Sequence, residues 1–99
     1  LRQFISQQKN MFVVCGDRHW QYVSRDGETG VMEFSCGPAS DEHAGGWSND
    51  MRHENHLYLN VIGGFLIVET RMVKEHPVIA FRHYNVDGIL QNEYVHPAR

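Results

Sequence analysis

Turn signals divide most of this chain into short segments of β character, and this punctuation limits the fold more than any other feature. Alternating or continuously apolar runs end at Gly, Asp-Gly or Gly-Gly every ~10 to 12 residues. Strands are predicted over residues 11–15, 20–24, 31–36, 56–61, 65–72, 77–84 and 89–95. This spacing favours an antiparallel meander, in which Leu57, Leu59 and Val61 face inward.

The N-terminal part has a different pattern. Leu1, Phe4 and Ile5 share one face at helical spacing, and Asn10 suits the cap of a helix over residues 1–9. The apolar run over residues 11–15 ends at Gly16, which predicts a strand buried on both faces. The predicted fold class is therefore α+β, mainly a β meander with one N-terminal helix. Because this helix has no start signal and the chain does not begin with Met, we expect residues 1–99 to be a single fragment of a longer protein.

Composition excludes several classes of protein. Apolar residues make up 41% of the chain, enough for a modest core and too many for a disordered segment. The net charge of −3 gives no electrostatic footprint for nucleic acid. No apolar run reaches the ~18 to 20 residues that a membrane-spanning helix needs, and we expect no signal peptide within these 99 residues.

An irregular loop over about residues 39–56 separates the predicted strands. Loops of this length are usually functional or disordered. It contains Asp41-Glu42-His43 and the pair His53 and His56. The two histidines could bind a metal together with Glu54, but their spacing differs from that of the zinc-protease helix, so we expect solvated loop residues.

The two cysteines, Cys15 and Cys36, each lie at the end of a predicted strand. Buried free thiols are the expected state, although the sequence leaves a disulfide between them open. A nucleophilic pair of Cys15 with His19 is a further alternative. It is weakened by the apolar run around Cys15, where thiols are usually inert.

The segment Gly16-Asp17-Arg18-His19 holds the best candidates for chemistry. Asp17 and His19 flank one residue just past a predicted buried strand, so a tight loop can point both side chains to the same side. A carboxylate and an imidazole suit Zn, Mn or Fe ions, and the Arg18 guanidinium can pair with phosphate oxygens. The pattern alone also fits a turn aspartate, a surface arginine and a surface histidine.

Four segments resemble a known family. FVVCGDRHW, MEFSCGP, GGFLIVE and VIAFRHYNVDG are similar to the C-terminal end of alkaline phosphatase D-like proteins, which are calcineurin-like metallophosphoesterases. The similarity extends from about residue 11 to residue 94, and Gly-Asp-x-His-Trp is its most specific part. The resemblance implies a sandwich of two sheets with helices on both outer sides, of which this chain supplies most of the second half.

The resemblance also implies an activity. Members are phosphatases or phosphodiesterases that hydrolyse phosphate esters with a metal-bound hydroxide at two metal ions. Asp17 and His19 match a late motif that often reads Gly-His-x-His, which implies catalytic and metal-binding roles for both residues. Arg18 would bind the substrate phosphate. The implied cofactors are divalent or trivalent Zn, Mn, Fe or Ca ions.

Three earlier motifs of the family are missing from this chain: an Asp-rich strand end, a Gly-Asp-x-x-Asp element and an Asn-His element. A site for two metal ions needs more ligands than Asp17 and His19 supply. We therefore expect the fragment alone to bind catalytic metal weakly or not at all and to be inactive. The alternative is a non-catalytic β-rich binding or oligomerisation module, and in either case exposed strands favour self-association.

Overall fold

A computed structural model describes residues 1–8, 10–16, 19–45 and 56–98. These residues form two β-sheets, one short helix and one 3-10 turn. In chain order the elements are α1 (Arg2–Ser6), β1 (Val13–Cys15), β2 (Gln21–Arg25), β3 (Met32–Cys36), the 3-10 turn Asp41–His43, β4 (His56–Asn60), β5 (Phe65–Val73), β6 (His76–Tyr84) and β7 (Leu90–Pro97). The expectation of a mainly β structure with one N-terminal helix is thus confirmed.

The first four strands form one sheet in the order β1-β3-β2-β4. β1 runs parallel to β3, whereas β2 is antiparallel to both β3 and β4. The turn between β2 and β3 is stabilised by Asp26, whose carboxylate accepts hydrogen bonds from the Thr29 amide at 2.9 Å and the Thr29 hydroxyl at 2.6 Å. The meander prediction is wrong for β4, because β4 pairs with β2 and not with β5.

The last three strands form an antiparallel meander in the order β5-β6-β7, as the turn signals predict. Lys74 and Glu75 connect β5 to β6 with φ angles of 50° and 69°. The connection from β6 to β7 is closed by Asn85, whose side-chain oxygen accepts hydrogen bonds from the Asp87 and Ile89 amides. Gly88 takes a φ of 78° in this turn, a conformation that favours glycine.

The core lies between the two sheets. Val23, Met32 and Phe34 of the four-stranded sheet meet Phe81 of β6. The rings of Phe34 and Phe81 stack with their centroids 3.8 Å apart and an interplanar angle of 5°. The Phe12 ring, just before β1, makes a T-shaped contact with the Phe81 ring, with centroids 5.1 Å apart. The segment after α1 therefore packs on this core too.

The chain crosses between the sheets at Gly63 and Gly64. The Gly64 amide donates a hydrogen bond to the Pro38 carbonyl at 2.8 Å. A Cβ atom at Gly63 would collide with the backbone of Ser40, and one at Gly64, where φ is 148°, with the carbonyl of Tyr84. The predicted Gly-Gly turn is therefore a close approach of three backbone segments, which only glycine allows.

The structure corrects the predictions for the N-terminal part. The helix ends at Ser6 instead of Lys9, which lies outside the described residues, and only Ile5 of its apolar face is buried. Asn10 does not cap the helix, but it has the left-handed φ of 58° that asparagine tolerates. The strand predicted to be buried on both faces is β1 at the sheet edge, where Val14 is 54% exposed.

The predicted inward face of β4 is also wrong. Leu57 and Val61 are exposed and Leu59 is only partly buried, whereas Tyr58 packs against the core between the sheets. The Tyr58 hydroxyl donates a hydrogen bond to the Gln21 side chain at 2.9 Å, and its ring lies 5.1 Å from that of His83. Tyr58 thus takes the inward position expected for leucine, and its hydroxyl gives the buried Gln21 side chain a hydrogen-bond partner.

Candidate functional site

The candidate site lies at one end of the four-stranded sheet, where strands begin and finish, and not along an edge strand. The carboxyl ends of the parallel strands β1 and β3 meet there, and register places the start of β2 and the end of β4 beside them. Ligand sites in sheets with parallel strands collect outside such ends. The loops that follow β1, β3 and β4 therefore lie at this end of the sheet.

His19 lies in the loop between β1 and β2, and its side chain is exposed. Its backbone carbonyl accepts a hydrogen bond from the Gly45 amide at 3.0 Å. This bond joins the loop after β1 to the segment that contains the 3-10 turn Asp41–His43. The imidazole is thus accessible, and this hydrogen bond holds the backbone that carries it.

The 3-10 turn is fixed from its other side by Asp41. The Asp41 carboxylate accepts a hydrogen bond from the Gly63 amide at 2.9 Å, which connects the turn to the crossing between the sheets. Glu42 and His43 are exposed. Asp41 therefore has a structural contact. The turn also brings the Glu42 carboxylate and the His43 imidazole to the end of the sheet where His19 lies.

Two of the three predicted site residues, Asp17 and Arg18, lie outside the described residues. Their predicted roles in metal and phosphate binding therefore stay predictions. Trp20, which follows them, is buried, and its carbonyl accepts a hydrogen bond from the Ser35 hydroxyl at 3.1 Å. Trp20 is thus a packing residue that anchors the end of the loop.

The second predicted cluster is only partly described. His53 lies outside the described residues, and His56 begins β4. The His56 ring is half-buried and meets the Tyr22 ring edge-on, with centroids 5.4 Å apart and an interplanar angle of 75°. The expectation of a solvated loop residue is wrong for His56, since pairing of β4 with β2 brings it onto the sheet.

The described residues do not assemble a metal site. Over residues 1–8, 10–16, 19–45 and 56–98, no three His, Cys, Asp or Glu side chains come together as metal ligands would. His19 is the one predicted ligand within those ranges. The residues in place therefore do not by themselves fit a centre with two metal ions.

A hydrogen-bonded row on the four-stranded sheet joins three strands, and sequence reasoning does not identify it. The Tyr22 hydroxyl donates to the Glu33 carboxylate at 2.9 Å and lies 3.5 Å from the Cys15 sulfur. Burial, aided for Tyr22 by these hydrogen bonds, raises the pKa of both Cys15 and Tyr22 above their usual range. Strand register decides this contact, so no local pattern could reveal it.

The structure decides two alternatives for the cysteines: a nucleophilic role for Cys15 and a disulfide between Cys15 and Cys36. Because burial raises its pKa, Cys15 stays a thiol at neutral pH and does not have the thiolate that a nucleophile needs. Both cysteines are free, as expected, but each is only partly buried. Cys15 is paired with Ser35, so Cys36 points to the opposite face of the sheet and no disulfide joins them.

His83 is a structural residue. Its side chain is fully buried, and Nε2 lies 2.7 Å from the Ser35 carbonyl oxygen. A carbonyl only accepts hydrogen bonds, so Nε2 carries the proton, while Nδ1 has no partner among the described residues. Burial lowers the pKa of His83, so the ring is neutral and joins the two sheets.

A cavity of about 520 Å³ opens between α1, the hairpin of β2 and β3, and β7. Ile5, Phe12, Arg25, Tyr94 and His96 are among its lining residues. Arg25 ends β2, so the cavity lies at the opposite end of the sheet from His19. The Arg25 Nε atom donates a hydrogen bond to the Met32 sulfur at 3.3 Å, which gives the guanidinium a weak partner.

Comparisons with known proteins do not extend this description. In the described part of the chain, no helix is long and apolar enough to cross a membrane. No protein-family model, no curated protein and no solved structure matches the chain. The functional interpretation therefore depends on the residues and the geometry given above.

Proposed function

We propose that this chain is the C-terminal portion of a metal-dependent phosphatase or phosphodiesterase that hydrolyses phosphate esters. One observation supports the proposal most directly. His19 is exposed in the loop after the parallel strand β1, at the end of the sheet where β3 and β4 also finish. This is the position that a metal-binding imidazole needs in order to meet ligands from other strand ends.

The proposed roles follow the chemistry of the side chains. We assign His19 and Asp17 as metal ligands, since imidazole and carboxylate suit Zn, Mn and Fe ions. The carboxylate would also bind Ca. Arg18 is assigned to the substrate phosphate, which a guanidinium binds through two oxygens. Bound ions would supply Lewis-acid chemistry. This chain's residues would hold them and orient the ester.

The proposal requires partners from outside this chain. The described residues contribute a single predicted ligand, and Asp17 would add a second. The other ligands of a centre with two ions would therefore come from a longer protein that contains this segment. We expect the isolated chain to bind metal weakly and to have no turnover.

The test is hydrolysis of p-nitrophenyl phosphate and bis-p-nitrophenyl phosphate by the longer protein. The His19→Ala variant should lose most of its activity, about a hundred-fold or more, because one metal ligand is gone. His76→Ala is the matched control, since His76 is an exposed histidine at the far end of β6. Equal activity of wild type and His19→Ala would contradict the proposal.

A second function, that of an oligomerisation module, is favoured by a different observation. β5 is an edge strand, and its apolar side chains are exposed on both faces, with Ile67 at 43% and Met72 at 64%. Exposed apolar edge strands are common sites of association. Sedimentation velocity over a range of concentrations tests this candidate, and a monomer throughout would contradict it.

A further inference from the structure

β5 has one free edge. Its other edge pairs with β6 in a continuous register from Phe65–Tyr84 to Val73–His76. Within the part of the chain that the structure describes, no strand covers the free side. Proteins commonly protect such an edge with proline, a bulge or several charges, and β5 has no proline and no shift in its register. The unpaired amides and carbonyls along this edge can therefore bind another strand.

The charges of β5 are arranged symmetrically. Glu69 and Arg71 lie two residues apart on one face of the strand and flank Thr70. Their own ion pair is long, 3.9 Å, and Glu69 also lies 3.6 Å from the Arg82 guanidinium of β6. The Glu69 and Arg71 side chains nevertheless remain 48% and 44% exposed, so groups on an approaching strand can reach both.

A second copy of β5 complements this arrangement when the two strands run antiparallel with Thr70 opposite Thr70. Each Glu69 then lies directly opposite Arg71 of the second copy. Opposite charges at such positions stabilise a strand pair, and like charges destabilise it. Centring the pair on Glu69 or on Arg71 would instead place two identical charges against each other.

The apolar residues agree with the same register. It places Ile67 opposite Val73 and Val68 opposite Met72 of the second copy, so each exposed apolar side chain meets another one. These four side chains are 43%, 43%, 43% and 64% exposed for Ile67, Val68, Val73 and Met72. Pairing stops at Lys74, because the turn to β6 begins there.

We propose that two copies of this chain join through their β5 edges in the register centred on Thr70. The two three-stranded sheets then form one continuous six-stranded sheet, a common size. The proposal rests on the self-association suggested above and names its strand and register. It does not depend on phosphoester hydrolysis, which the activity assay tests separately.

Charge reversal tests the register. Glu69→Lys and Arg71→Glu should each weaken self-association by about ten-fold or more, because attractive pairs become repulsive. An equimolar mixture should associate again, since the lysine introduced in the first variant faces the glutamate introduced in the second, and one native pair of Arg71 with Glu69 remains. A folding defect cannot be rescued by mixing. Glu69→Lys also replaces the 3.6 Å ion pair of Glu69 with Arg82 by two like charges, so circular dichroism must show that each variant alone is folded.

Cross-linking tests the centre of symmetry, with Cys15 and Cys36 replaced by serine throughout. Thr70→Cys should form a disulfide dimer under mild oxidation, because residues directly opposite have Cα atoms about 4.5 to 5.5 Å apart. Val68→Cys is the control on the same face. In this register its own counterpart lies four residues away, about 13 Å, beyond the reach of a disulfide.

The outcomes separate the two levels of the proposal. If the wild-type chain is a monomer at every concentration in sedimentation velocity, both self-association and the β5 pairing are wrong. If it is a dimer but mixing fails to restore association and Val68→Cys cross-links as well as Thr70→Cys, self-association stands and this register is overturned. Rescue by mixing together with selective cross-linking at position 70 supports the proposal.

Discussion

β3 and β5 are both rich in apolar residues, yet they meet opposite surroundings. β3 has β1 on one side and β2 on the other, and Phe34 at its centre is fully buried against Phe81. Among the described strands, β5 pairs with β6 alone, and side chains such as Val68 and Met72 remain exposed. Apolar content therefore marks a strand but does not determine how many neighbouring strands it has. Stability should therefore be concentrated around β3, while β5 should contribute mainly to association.

Truncation of one aromatic ring in each strand tests this contrast with the largest expected effect. Phe34→Ala should lower the free energy of unfolding by about 3 to 5 kcal/mol, because it opens a cavity in the core. Phe65→Ala should cost about 1 kcal/mol or less, since Phe65 is 41% exposed and stacks on the ring of Tyr84 at the end of β6. Urea denaturation measures both. Equal losses would show that the stability is not concentrated in the interface between the sheets.

The crossing between the sheets gives the next largest effect. Gly64→Ala should destabilise the fold by about 2 to 3 kcal/mol, because its Cβ atom would meet the Tyr84 carbonyl. Gly88→Ala is the matched control. It has a positive φ of 78° and open space around it, so only the backbone cost of about 1 kcal/mol remains. If both variants lost the same amount, the close approach at Gly64 would not matter.

The buried histidine of β6 makes the interface sensitive to acid. The pKa of His83 in the folded chain is below the usual value of 6.5, so the unfolded chain binds more protons as the pH falls. Stability from this site should be complete above pH 6.5 and should decrease as the pH falls below it. The urea midpoint of the wild type should therefore drop between about pH 7.5 and pH 5.5.

The control for this effect is His83→Gln, whose amide can donate to the Ser35 carbonyl without taking up a proton. Its urea midpoint should change less over the same pH range than that of the wild type. Parallel pH profiles for the two proteins would remove His83 as the source of acid sensitivity.

The smallest effect is expected at the exposed end of β5. Glu75 has a φ of 69° in the turn to β6, a conformation that costs a non-glycine residue energy. Glu75→Gly should stabilise the chain by about 0.5 to 1 kcal/mol, whereas Glu75→Ala should not. Thermal unfolding measures both variants. A gain with alanine as large as that with glycine would point to removal of charge instead of relief of strain.

Much of the secondary structure was predictable because its signals are local. The alternation in residues 77–84 predicts β6, and the two Asp-Gly turns predict the connections from β2 to β3 and from β6 to β7, all of which the structure confirms. The helix over residues 1–9 was predicted too long. Its apolar face is exposed at Leu1 and Phe4, so burial gives that face little support in this structure.

The candidate site was predictable only in part. The position of His19 after a strand followed from local pattern, and the residue is exposed there. The bond from Gly45 to the His19 carbonyl did not follow, because it joins loops that are distant in sequence. The row formed by Cys15, Tyr22 and Glu33 was missed for the same reason.

By itself, the sequence determined where most strands begin and end, where the chain turns and that a glycine pair follows the fourth strand. Tertiary structure alone decided that β4 joins β2, that Tyr58 faces the interior in place of Leu57, and that β5 lies at an edge. The physical reason is that turns and strand propensity depend on a few adjacent residues. Strand neighbours and the face that becomes buried depend on side chains brought together from the whole chain.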